Sequence, residues 1–277
     1  MMELELGNVR KPLRQLRKSL KSLPSDPAMK EVHDLRTRAR RVEAIVAVLM
    51  PGNDKRANRL LKTLKPVRKA AGKVRDMDVL AAKALTLAGR TRNRSVARLL
   101  EYLRAMRVES AGQLLKTLAR QRTDARHSLE QFSRQIERRF NAKNPRASSR
   151  TTGNQPHASA AIRLMDELGR WPAFTAENLH AFRIKVKELR YVMQLAQDAD
   201  LKFVNALEKV KRQIGDWHDW QQLEEIAGNV LKRREDRTVL KKIGEIGTGK
   251  CNRALAAAYA LKTRYLNVYA DFAVSEP

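Results

Sequence analysis

Two stretches of the sequence place a histidine and several cationic side chains at helical spacing. They are His33, Arg36 and Arg40 in the first stretch, and His180, Arg183, Lys187 and Arg190 in the second. At 100° per residue, the members of each set fall on one narrow stripe of a helix. Cations stacked on one stripe repel each other, so an anion is needed to neutralise them. The chemistry that these residues offer is therefore the binding of an anionic ligand.

The apolar residues around both stripes predict which side of each helix is buried. These residues follow helical spacing on the opposite side and are Leu35, Ala39, Val42, Val46 and Leu49 in the first stretch, and Phe182, Val186, Leu189 and Met193 in the second. Each helix should bury this apolar face and direct its basic face away from the core. Glu43 is an acidic exception, since it stands ten residues after His33, where the second stretch has Arg190.

The composition predicts an all-α protein with a polyanionic partner. The 277 residues are enough for one large or two ordinary domains, and they show neither strand alternation nor hairpin dipeptides. The formal net charge is +27, far more than solubility requires. Nucleic acid, polyphosphate and an anionic membrane surface are the polyanions that such a charge favours.

Several features predict a soluble, cytoplasmic protein. Cys251 is the single cysteine, so the fold does not depend on an internal disulfide. The N-terminus lacks the apolar stretch of a secretory leader. No apolar run approaches the roughly 20 residues that span a bilayer.

The sequence also repeats itself beyond the histidine stretches. Residues 64–76 match residues 207–219 in a shared order of Leu, Val, two basic residues, Gly and Asp. Residues 144–158 are rich in Pro, Ser, Thr, Gly and Asn, which is typical of a linker. The predicted architecture is an internal duplication, with one bundle of about four helices in residues 1–143 and a second in residues 159–277. A pseudo-twofold axis would place the two basic helices side by side along one central groove.

Prolines and glycines predict where individual helices stop. The first helix should run from about Val9 to Ser22 and end before two prolines. Pro66 predicts a kink or a new start, followed by a separate element from about Lys73 to Gly89. Residues 95–140 contain no proline and predict one or two very long helices. The glycines of residues 244–249 predict a possible break in a final helix that ends by Phe272.

The chain resembles the CHAD domain, whose name refers to conserved histidines in an α-helical domain. The resemblance rests on the pattern H-x-x-R-x-x-x-[RK] at His33 and again at His180, and it covers nearly the whole chain. It also rests on the runs Arg75-Asp76-x-Asp78-Val79-Leu80 and Lys187-Glu188-Leu189-Arg190-Tyr191. The resemblance implies a pair of four-helix bundles that binds inorganic polyphosphate in a central basic groove.

The resemblance further implies a polyphosphate site, and the family's pattern is carried over only at matching positions. The implied binding residues are His33, Arg36, Arg40, Arg41, Arg68, Lys69, Arg75, His180, Arg183, Lys187, Arg190, Lys211 and Arg212. Two departures from a symmetrical site are Glu43, and His218 at the position that corresponds to Arg75. The expected protein is a binding module rather than an enzyme, with no cofactor, and association with polyphosphate granules is a further expectation.

Two other functions compatible with the residues stay open. An RNA-binding helical protein would carry the same charge, although base stacking favours interleaved aromatic residues, and aromatics make up 5% of this chain. A metal-dependent phosphohydrolase is the third possibility, because His33-Asp34 and His218-Asp219 are His-Asp pairs. Adjacent residues on a helix point about 100° apart, so neither pair is suited to clamp one ion.

No catalytic or metal-binding residue is predicted. The sequence shows no nucleophile–base pair, phosphate-cradling glycine loop or carboxylate dyad. Asp76, Asp78 and Asp219 are expected to cap helices or to pair with the arginines of the groove. The oligomeric state is left open.

Overall fold

The chain folds into α-helices, as its periodicity predicts. The computed structural model describes residues 6–50, 54–88, 93–142, 156–194 and 200–266. These ranges contain helices, turns and short connections, and no strand occurs within them. None of the helices in the same ranges combines the length and the apolar character that a bilayer span requires.

Eight α-helices occur in these ranges, with one short 3₁₀ helix and one π-helical turn. The α-helices are α1 (Leu6–Ser22), α2 (Met29–Leu49), α3 (Lys55–Leu85), α4 (Arg94–Ala142), α5 (Pro156–Gly169), α6 (Ala176–Met193), α7 (Leu201–Val230) and α8 (Arg237–Leu261). The 3₁₀ helix (Arg234–Asp236) precedes α8, and the π-helical turn (Lys262–Leu266) follows it.

Two helices continue through residues that the sequence analysis took as local breakers. Helix α3 continues through Pro66 for 31 residues, so the separate element predicted from Lys73 is part of it. Leu64 and Val67 flank the proline and are fully buried, which holds the helix in place where one backbone hydrogen bond is lost. Helix α8 likewise passes through the glycines of residues 244–249 without a break.

Other boundaries agree with the sequence prediction. Helix α1 ends at Ser22, as the two following prolines require. Helix α4 is one continuous helix of 49 residues, which is the first of the two predicted alternatives, one helix or two. The predicted linker, 144–158, lies mostly outside the described residues, and its last three residues belong to the start of α5. The predicted end of the last helix at Phe272 also lies outside the described residues.

The helices are distributed over two compact units that each draw on both halves of the sequence. The first unit takes in α1, α2, α3 as far as Arg75 and α4 from Glu109 onward, with the start of α5 to Ala161 and the end of α6 from Tyr191. The second unit contains the rest of these helices together with α7 and α8. The repeat boundaries at 1–143 and 159–277, and the duplication itself, stay predictions.

The predicted apolar faces of α2 and α6 are buried. In the first unit, Leu35, Ala39 and Val42 have no exposed surface, whereas Leu49 is half-buried. In the second unit, Phe182 is fully buried and packs edge-on against two rings, with centroid distances of 5.3 Å to Trp171 and 4.7 Å to Phe174. Burial of these faces fixes the rotation of both helices, and thereby the direction of their basic stripes.

Candidate functional site

The two histidine helices, α2 and α6, begin with the same type of N-terminal cap. In α2, the Ala28 N–H donates to Glu31 Oε2 at 2.8 Å, and in α6 the Thr175 N–H donates to Asn178 Oδ1 at 3.1 Å. Each bond runs from the residue before the helix to a side chain in its first turn, which satisfies a backbone N–H that the helix leaves unpaired. Glu31 and Asn178 both stand two residues before the histidine. The start of each basic stripe is therefore set by an equivalent cap.

In the second unit, α6 packs antiparallel against α7 along the predicted stripe. The rings of His180 and His218 lie 4.6 Å apart at their centroids and are tilted by 54°. One turn further along α6, Arg183 Nε donates to the Lys211 carbonyl oxygen at 3.2 Å. At the far end, Arg190 Nε lies 3.2 Å from Glu208 Oε2. We call the basic side chains of this surface the second basic face; they are His180, Arg183, Lys187, Arg190, Lys211 and His218.

In the first unit, the corresponding contacts join α2 to α3. Arg68 Nε donates to Glu43 Oε1 at 2.6 Å. Arg36 reaches the backbone of α3 at Gly72, and Arg40 lies one turn further along α2, half-buried. We call His33, Arg36, Arg40, Arg68 and Arg75 the first basic face.

A glycine lies under an arginine in both units. A methyl group added at Gly215 would lie 2.9 Å from Arg183 Nη2 and 3.1 Å from its Nε. A methyl group added at Gly72 would lie 3.2 Å from Arg36 Nε. Both glycines are buried inside long helices, where glycine is intrinsically unfavourable. Because glycine has no side chain, each guanidinium can approach the neighbouring helix closely.

The cations of the second basic face lie deeper than the sequence predicts. Lys187 and Arg190 are each 8% exposed, whereas His180 at the start of the stripe is exposed. The stripe was expected to point away from the core along its whole length, but α7 covers its C-terminal end. In the first unit, His33 is likewise exposed and Arg36 and Arg40 are half-buried. Both stripes thus become more buried along the helix.

The charge of the second basic face affects Lys211 directly. Burial lowers the pKa of Lys211, and the positive charges of Arg190 and Arg183 lower it further. Its hydrogen bond to Glu208 Oε1, 2.6 Å long, acts in the opposite direction without cancelling the effect. The lowered pKa therefore reflects first the cost of holding a charged ammonium away from water, to which the two arginines add.

Three predicted site residues lie apart from these contacts. Arg41 is exposed and lines a cavity of about 280 Å³ together with Lys11, Ile45 and other residues of the first unit. Lys69 and Arg212 are exposed on α3 and α7. Their participation in one site with the other residues stays a prediction, as does the central groove.

Sequence reasoning did not assign four residues that the geometry brings into contact with the predicted ones. Gly72, Gly215, Glu208 and His218 were visible in the repeat, since they occur at or beside aligned positions. Nothing in the spacing showed that the glycines accept an arginine or that Glu208 contacts two cations. Such contacts depend on which helices are neighbours in space.

The acidic residues near these helices pair with cations. Asp78, 7% exposed, accepts a hydrogen bond from Arg107 Nε at 3.0 Å, and Arg107 is not one of the arginines predicted for the groove. Asp216 forms ion pairs with both Lys83 and Lys250. Partial burial would raise the pKa of Asp216, but the hydrogen bonds and charges of the two lysines outweigh this and lower the pKa. Among the described residues, no cluster of three or more His, Cys, Asp or Glu side chains is placed to hold a metal ion.

Comparison with known proteins gives one match. The family model of the CHAD domain matches residues 8–227, which is most of the chain. No curated protein and no solved structure shows a significant match.

Proposed function

Because the chain belongs to the CHAD domain family, which is linked to polyphosphate binding, we propose that it binds inorganic polyphosphate through its two basic faces. The observation that carries this proposal is the convergence of Arg183, Lys187, Arg190 and Lys211 on the α6–α7 surface. Arg190 and Arg183 lie close enough to Lys211 to lower its pKa beyond the larger effect of burial, so these cations repel each other. A bound polyanion relieves it.

The chemistry of the faces fits a linear phosphate polymer. Polyphosphate carries about one negative charge per phosphate and has no base to read, so a row of hydrogen-bond donors suffices. Ten residues of helix, as from His180 to Arg190, cover about 15 Å, which accommodates several phosphates. Arginine offers forked hydrogen bonds to phosphate oxygens, and lysine adds a compact charge.

The proposed role is binding without a chemical step. The residues assigned to the two faces are donors of hydrogen bonds and positive charge, and none of them is assigned to attack or cleave a phosphoanhydride bond. Association with polyphosphate granules would follow from the same affinity and is part of the proposal.

The test compares polyphosphate with single-stranded RNA of equal charge by calorimetry at about 150 mM salt, near physiological screening. The variant Arg36→Ala/Arg183→Ala removes one arginine from each face. Its matched control is Arg134→Ala/Arg170→Ala, which removes one exposed arginine from each unit; these side chains are 69% and 71% exposed and pair with a carboxylate one turn away.

We expect tight binding of polyphosphate that the first variant loses and the control keeps. Equal loss in both variants would mean that net charge, and not the two faces, determines binding. Equal affinity for RNA and polyphosphate, falling together with added salt, would identify a general polyanion binder and favour the nucleic-acid function.

A further inference from the structure

A glutamate lies inside each basic face. In the second unit, Glu208 uses both carboxylate oxygens, with Oε1 2.6 Å from Lys211 Nζ and Oε2 3.2 Å from Arg190 Nε. In the first unit, Glu43 Oε1 accepts a hydrogen bond from Arg68 Nε at 2.6 Å. Each carboxylate thus contacts cations that the sequence assigns to the ligand.

The two glutamates lie on different members of their helix pairs: Glu43 is on the histidine helix of its unit, whereas Glu208 is on the helix that packs against the histidine helix. Glu43 stands ten residues after His33 on the histidine helix, where the second unit has Arg190. Glu208 stands three residues before Lys211 on the following helix, where the first unit has Lys65 before Arg68. A carboxylate is therefore present in both faces although the charges at these positions are exchanged.

Glu208 is the outermost member of its ion-pair group. Its side chain is 41% exposed, compared with 24% for Lys211 and 10% for Arg190. An incoming anion therefore reaches the carboxylate more readily than it reaches either cation. Two oxygens of one anionic group on an arginine and a lysine are also the contacts that a phosphate would make.

We propose that Glu208 and Glu43 are internal counter-ions that a polyphosphate chain displaces when it binds. This inference rests on the proposed function. The glutamate is tethered to the face and so competes at a high effective concentration with any ligand. A single small anion gains too little to replace it, whereas a polymer that contacts many donors at once does. The glutamates thereby set the shortest polyphosphate chain that the protein retains.

The first experiment measures the dissociation constants of tripolyphosphate and long-chain polyphosphate for wild type, Glu208→Gln and Glu188→Gln. Glu188 is a control of equal charge on α6, since its carboxylate is 51% exposed and lies 3.9 Å from Lys185. We expect Glu208→Gln to bind each ligand about threefold to fivefold more tightly, at the upper end of what a partly exposed ion pair contributes, and Glu188→Gln to change by less than about twofold.

A double-mutant cycle tests whether the carboxylate acts through its contacts. In a Lys211→Ala background, the gain from Glu208→Gln should shrink, because one of the two cations that Glu208 contacts is gone and only Arg190 is left. A gain that is undiminished there, or a gain that equals the control in wild type, overturns the inference. Failure of wild type to bind either polyphosphate would instead overturn the proposed function.

Loss of the carboxylate leaves Arg190 buried without it, so Glu208→Gln is checked by thermal unfolding before binding is measured. Glu43→Gln provides the same test in the first unit, where Arg68 is 21% exposed, with Arg68→Ala as the cycle partner. If Glu43→Gln folds and gains no affinity, the inference fails for the first unit.

Discussion

The substitution Gly215→Ala should separate ligand binding from stability. The added methyl carbon would lie 2.9 Å from Arg183 Nη2, so the guanidinium must move by about 0.6 Å to reach an ordinary separation of about 3.5 Å. The Arg183 Nε bond to the Lys211 carbonyl is already 3.2 Å long, and a shift of this size breaks it. The displaced atoms are the end of a flexible side chain, so the fold itself has little to adjust.

Two opposite effects follow from this displacement. Alanine favours a helix interior over glycine by about 0.5 to 1 kcal/mol, so the free energy of unfolding should stay equal or rise. Loss of one well-placed hydrogen bond to a charged ligand costs about 1.5 to 3 kcal/mol, which weakens polyphosphate binding roughly tenfold to a hundredfold. Gly72→Ala should act in the same direction but less strongly, because its contact to Arg36 is 3.2 Å.

The assay pairs denaturant unfolding with calorimetric titration of polyphosphate. Gly228→Ala in α7 and Gly112→Ala in α4 are matched controls, since an added methyl group meets nothing within 4 Å at either position. They should gain stability and keep full affinity. If Gly215→Ala binds as Gly228→Ala does, the position of Arg183 does not matter for binding and the reasoning is refuted. If Gly215→Ala instead unfolds more easily than wild type, the glycine is needed for packing.

Three further outcomes are expected. Bound polyphosphate favours charged Lys211, so affinity should fall as the pH rises through its lowered pKa, and Lys211→Arg should remove this decline; titrations from about pH 7 to pH 10 test it. The lowered pKa of Asp216 gives stability that is present at neutral pH and lost as the pH falls through the folded-state value. Asp216→Asn should therefore lower the free energy of unfolding by about 1 kcal/mol at neutral pH, with the difference from wild type vanishing in acid; a constant difference would exclude the ion pairs to Lys83 and Lys250 as its cause. Phe182→Ala should cost about 3 to 5 kcal/mol in denaturant unfolding because the ring is fully buried, and a cost below about 1 kcal/mol would contradict that packing.

Local periodicity was sufficient to predict the buried faces of the basic helices. Leu35 and Phe182 are buried because a period of 3.6 residues fixes which side chains share a face, whatever the neighbouring helix is. Pro66 misled the prediction for the opposite reason. The cost of a proline inside a helix is local, but burial of the flanking Leu64 and Val67 depends on distant residues.

The candidate site was predictable in its residue types but not in its contacts. The stripe of His180, Arg183 and Arg190 follows from spacing within one helix. The burial of Arg190 and the role of Gly215 follow from the approach of α7, which lies beyond any local pattern. From the sequence alone, a glycine inside a helix predicts only a loss of helix stability. That it allows a guanidinium to approach becomes visible only when the neighbouring helix is in place.

The burial of Lys187 and Arg190 has a consequence for the lifetime of the protein. Folding must bring these charges together, and at 8% exposure water screens them poorly. A ligand that neutralises them binds the folded chain and not the unfolded one, and at a hundred times its dissociation constant it adds about 2.7 kcal/mol to the free energy of unfolding. Differences of this size change how often a protein is exposed to cellular proteases. The abundance of the protein would then follow the supply of its ligand, with turnover fastest when polyphosphate is scarce.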